Sequence, residues 1–111
     1  MRLSYIIHSM CSENDMTISE ASVLSGRARS YLAAVISKKE IGISYMRILC
    51  PMLRYDMLAR NKKTLDEVSL VSEVGDGWRI SVDMLYRIYA AVGCEIILRD
   101  YSGQHEYVIT E

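Results

Sequence analysis

Residues 16–40 read MTISEASVLSGRARSYLAAVISKKE, and how this stretch folds decides the architecture expected of the whole chain. Thr17 and Glu20 form a T-x-x-E capping box, so the spacing predicts a helix beginning just after Thr17. Gly26, behind Ser25, is the natural end of that helix, because a left-handed C-cap residue carries no Cβ penalty when it is glycine. A second helix is expected to follow, with Tyr31, Leu32 and Val35 at core-facing spacing. Arg27, Arg29 and Ser30 fall in its first turn, and Lys38 and Lys39 close it. Two short helices joined by a glycine turn form a helix-turn-helix unit.

Outward from this unit, Leu3, Ile6, Ile7 and Met10 have the spacing of an earlier amphipathic helix. Residues 44–55 read as a later one, with Pro51 inside it as a kink or break. This order resembles the helix-turn-helix domains of the Cro and phage-repressor type, over about the first half of the chain. The resemblance implies a DNA-binding protein whose second motif helix enters the major groove. It also implies site residues. Arg29 and Ser30 would read base edges, with Ala28 beside them. Arg27 would touch phosphate or base, Ala33 and Ala34 a thymine methyl, and Thr17, Ser19, Lys38 and Lys39 phosphate. Ser22, Gly26, Leu32 and Val35 would be structural, and Tyr31 would pack its ring inward.

The formal net charge of −1 hides a division. Residues 1–63 carry ten Lys or Arg against five Asp or Glu, whereas residues 64–111 carry three against nine. Gly26 to Lys39 has four basic residues and no acid, which fits a basic binding surface joined to an acidic part with another task. Half of the 111 residues are hydrophobic and one is proline, so an ordered fold with one ordinary core is expected. No apolar run spans a bilayer, and the first ten residues lack the pattern of a signal peptide; a cytoplasmic protein is expected. Cys11, Cys50 and Cys94 read as reduced thiols, best explained as small buried hydrophobes.

Arg54 to Lys63, RYDMLARNKK, is a second basic stretch at the end of the presumed fourth helix, equally a phosphate-contacting segment or a solvated helix end. Thr64 with Glu67 repeats the capping-box spacing, yet the alternation of Val68, Leu70 and Val74 fits a strand nearly as well. Gly75-Asp76-Gly77 is a turn signal, and Trp78 beside it a core or interface anchor. Ser81 caps a helix carrying the stripe Met84, Leu85, Ile88 and Val92, which Gly93 ends. CEIILRD and HEYVITE then form a hairpin around Tyr101-Ser102-Gly103-Gln104.

Together these features predict a mainly α fold. An N-terminal helix-turn-helix bundle of four to five helices occupies residues 1–60, and a helix with a β-hairpin, serving dimerisation, occupies residues 61–111. Ile96, Leu98, Val108 and Ile109 are expected to leave apolar surface for a second copy to cover. Neither His8 (expected on an apolar helix face) nor His105 has a metal-ligand spacing, and the motifs of hydrolases, metalloproteases and phosphate loops are absent. Asp66, Glu67 and Glu73 read as a solvated acidic face. The sequence therefore predicts a non-catalytic protein without cofactor, binding double-stranded DNA as a homodimer. The alternative is an interaction module that turns the same fold to a protein partner, which Ile18 and Arg27, where the resembled family has other residues, favour slightly.

Overall fold

The computed structural model describes residues 2–71 and 80–110. Their architecture corrects the expectation of a mainly α molecule, because five helices are joined by a four-stranded antiparallel sheet. In chain order the elements are α1 (Leu3–Glu13), α2 (Ile18–Leu24), α3 (Tyr31–Ser37), α4 (Ile43–Met52), β1 (Tyr55–Asn61), β2 (Glu67–Ser69), α5 (Val82–Ala91), β3 (Cys94–Asp100) and β4 (Glu106–Val108). Trp78, the Gly75-Asp76-Gly77 turn, Glu73 and Val74 lie outside the described residues.

The departure from the expected fold begins at Pro51. Helix α4 carries this proline in its last turn and stops at Met52, and Arg54 takes a left-handed backbone angle, φ 61°. Pro51 offers no N–H to the Arg47 carbonyl and so weakens this last turn, and the left-handed Arg54 then ends the run. The chain therefore leaves α4 three residues earlier than the pattern predicted. What reads as the basic tail of a helix is strand β1, with Tyr55, Met57 and Ala59 buried on one face.

Of the segment left open between helix and strand, Glu67–Ser69 forms strand β2, and local hydrogen bonding explains why the capping box does not start a helix. Asn61 Oδ1 accepts from the amides of Lys63 and Thr64, at 2.8 and 3.0 Å, which turns the chain tightly after β1. Thr64 Oγ1 then accepts from the Asp66 amide at 3.2 Å, two residues on, instead of from a helical N3 amide.

The sheet order is β2-β1-β3-β4, with β1 and β3 paired along their full lengths from Tyr55 opposite Asp100 to Asn61 opposite Cys94. The β3–β4 hairpin is formed as the sequence predicts. One hydrophobic cluster joins Ile6, Ile7 and Met10 of α1, Leu32 of α3, Met46 and Leu49 of α4, Leu85 of α5 and Met57, Ile96 and Leu98 of the sheet. It runs across residue 60 without a break. Ile96, Leu98 and Ile109, expected as surface for a second copy, are buried within this cluster, because β1 and the helices already cover them.

The opposite face of the sheet is laced with ion pairs. Arg60 reaches Glu95 at 2.6 Å and Glu106 at 3.1 Å, and Arg99 reaches Glu67 at 2.6 Å and Glu106 at 3.2 Å, so the network crosses all four strands. Leu58 and Ile97 share that face by strand alternation and are nevertheless buried. Arginine stems cover apolar area while their charged ends stay at the surface.

Candidate nucleic-acid interface

Helix α2 starts as its sequence dictates. The Glu20 amide donates to Thr17 Oγ1 and the Thr17 amide donates to Glu20 Oε1, both at 3.1 Å, closing the capping box. The helix ends at Leu24, and Gly26 adopts φ 85° with open space where a Cβ would stand, so its role is conformational rather than steric.

Between α2 and α3 the turn is longer than the sequence predicted. Helix α3 begins at Tyr31 with Ser30 as its N-cap, so Arg27, Ala28 and Arg29 belong to the connection and not to the first helical turn. The anchor of this connection is Ser22, fully buried in α2. Its hydroxyl donates to the Ala28 carbonyl at 2.5 Å and accepts from the Leu32 amide at 3.2 Å. One side chain thus satisfies two backbone groups of the incoming segment and fixes where α3 starts. Ser25 Oγ donates to the Ser22 carbonyl at 2.7 Å and shares a 2.6 Å hydrogen bond with the Tyr45 hydroxyl of α4.

Arg27 has a defined place here. Its guanidinium lies 5.1 Å from the centre of the Tyr31 ring and 5.9 Å from that of Tyr45, and the two rings meet edge to face at 5.1 Å. This is cation–π stacking over an aromatic pair, and it gives Arg27 a packing role besides its charge. Burial raises the Tyr45 hydroxyl pKa, opposed by its hydrogen bond with Ser25.

Helix α3 turns Leu32 into the core and presents Ser30, Ala33, Ala34 and Ser37 to solvent. These four are neutral and small, so backbone can approach another surface closely along this face. Arg27 and Arg29 are exposed at one end of it. Lys38, the C-cap, and Lys39, at φ 55°, are exposed at the other. Thr17 is exposed and Ser19 half-buried at the start of α2. The structure therefore gathers Arg27, Ala28, Arg29, Ser30, Ala33, Lys38 and Lys39 along one short helix and its approach.

The second basic stretch does not form a matching helical surface. Arg60 is engaged with Glu95 and Glu106 on the sheet, while Arg54, Lys62 and Lys63 are exposed at the two ends of β1. The acidity of the C-terminal half is in part the counter-charge of Arg60 and Arg99: Glu67, expected on a solvated acidic face, holds Arg99. His8 is exposed rather than on a buried apolar face.

A further cluster was not legible in the sequence, because its members are far apart in the chain. Ligand atoms of Glu13, Asp100 and His105 lie within 4.8 Å of one another. They are tied into hydrogen bonds: Glu13 accepts from the Tyr55 and Tyr107 hydroxyls, and Asp100 accepts from the His105 amide and Ser102 Oγ. Burial first, then the bond to Glu13, raises the Tyr55 hydroxyl pKa; for Tyr107 the bond to Glu13 comes first. The cluster locks the end of α1 to the hairpin.

The chain matches no protein-family model, no curated protein and no solved structure. Among the described residues no helix is long and apolar enough to cross a membrane.

Proposed function

We propose that this protein is a non-catalytic, sequence-specific regulator that binds double-stranded DNA in the cytoplasm, acting as a dimeric repressor of phage, mobile-element or antitoxin type. One observation carries the reading. The exposed face of α3 is small and neutral, is flanked by Arg27, Arg29, Lys38 and Lys39, and has no acid between Gly26 and Lys39. A short helix of this kind fits a major groove about 12 Å wide, with Arg29 and Ser30 toward base edges and the lysines toward phosphate. Thr17 and Ser19 stand where the neighbouring backbone would pass.

Dimerisation is assigned to α5. Met84, Ile88 and Val92, one turn apart along the helix, are 52, 51 and 66 % exposed, an apolar stripe that a second copy would cover by symmetric pairing. Retention on heparin that falls steeply with salt, and that Arg29→Ala weakens without unfolding the protein, tests the DNA reading.

A second reading rests on Val23 and Leu24, 49 and 63 % exposed on α2 beside the turn. Apolar side chains there suit a protein partner better than a phosphate backbone. On that reading the same unit is an interaction module.

A further inference from the structure

A cavity of about 390 Å³ opens beside the end of α3, where the start of α1, the end of α3, the start of α5 and the chain after β4 converge. Its floor is apolar and well defined. Ile41, Val82 and Ile109 are buried there, and the strand-like bridge between residues 41–43 and 80–82 fixes the first two, through Ile43 N to Ile80 O at 3.0 Å and Val82 N to Ile41 O at 2.8 Å. The rim is basic. Among the described residues Arg2, Lys39 and Arg87 line it against the one carboxylate of Asp83, which is held by Arg87 at 3.1 Å. Among the described residues Arg2 and Lys39 form no ion pair.

We infer that this cavity is a binding site for a small anionic molecule with an apolar body, such as an aromatic carboxylate. Its volume lies within the range of small-ligand pockets, about 300–1,000 Å³. An apolar body would displace water from the floor of Ile41, Val82 and Ile109, while its carboxylate would meet Arg2 and Lys39 at the mouth. A cation would meet like charge there, and a neutral molecule would leave both basic groups without a partner. The site adjoins the end of the α3 surface, sharing Ser37 and Lys39 with it, and the inference does not depend on the DNA reading.

The test is a titration of the ¹⁵N-labelled protein with naphthalene-2-carboxylate, followed by amide chemical shifts, beside the same titration with 2-naphthalenemethanol. The expected result is saturable shifts at Leu3, Ile41, Val82 and Ile109, with the alcohol binding about tenfold more weakly. Arg2→Gln with Lys39→Gln, both at exposed positions, should retain the folded spectrum and remove the preference for the carboxylate. Absence of saturable shifts would overturn the site, as would shifts confined to Met84, Ile88 and Val92. Equal affinity for acid and alcohol, or an undiminished preference in the double variant, would overturn the anionic specificity.

Discussion

The buried hydroxyl of Ser22 accepts a hydrogen bond from the Leu32 amide, 3.2 Å away and ten residues on, and so ties the first turn of α3 to the middle of α2. The same oxygen donates to the Ala28 carbonyl. Ser22→Ala leaves the buried Leu32 N–H without its partner, whereas the Ala28 carbonyl keeps the Tyr31 amide at 3.0 Å, so the variant should destabilise the protein by about 1–3 kcal/mol. Urea unfolding of the variant measures this. A loss much below 1 kcal/mol would mean that water or a shifted turn satisfies the Leu32 amide.

The ion pairs across the sheet make stability depend on acid. The bidentate bond from Arg99 holds the Glu67 carboxyl below its ordinary value of 4.5, opposed by a smaller effect of burial. A carboxylate with a lowered folded pKa contributes stability that is present above the unfolded value and lost as pH falls through the folded one. Glu67→Gln should therefore weaken the protein at pH 7 by at most about 1 kcal/mol, since the pair is solvent-screened. The difference from the parent should close as pH drops below 4.5. Denaturant midpoints of both proteins at pH 7 and pH 3 check the sign; a gap that widens in acid would contradict it.

Elements set by local signals were legible in the sequence. The capping box of Thr17 and Glu20, the Ser81 cap and the Gly93 stop are all present where read, because each depends on residues three or four apart. The sheet was not. Strand β1 has the composition of a helix end, and only pairing with β3, some 40 residues on, makes its alternation of Tyr55, Met57 and Ala59 pay off in burial. The candidate interface was legible as a set of residues but not in its geometry. The charge run named Arg27 and Arg29, whereas the stacking of Arg27 on Tyr31 and Tyr45 requires α4 to be in place.

The stripe on α5 gives a prediction about assembly. Ile88→Glu places a charge at its centre without touching the buried Leu85 and Val82, so folding should persist. Light scattering at micromolar concentration should find a dimer for the parent and a monomer for the variant. A monomeric parent, or a dimer that survives the substitution, would remove α5 from the interface.

The three cysteines should differ in reactivity. Burial pushes the Cys11 thiol up to about 11 and that of Cys50 higher still, whereas Cys94 is half-buried at the start of β3. The thiolate is the reactive form, so a disulfide reagent at pH 8 should modify Cys94 first in the native protein and the other two only after denaturation. Equal rates at all three would indicate local opening around α1 and α4.

The most direct test of DNA recognition by α3 is selection from a random duplex library by the folded protein at near-physiological salt, run in parallel with Arg29→Ala. Enrichment of a roughly palindromic motif, with half-sites about one DNA turn, roughly 34 Å, apart, is the expected result, together with its loss in the variant. A parent that enriches nothing while remaining folded, or a motif untouched by Arg29→Ala, would contradict the role given to this helix.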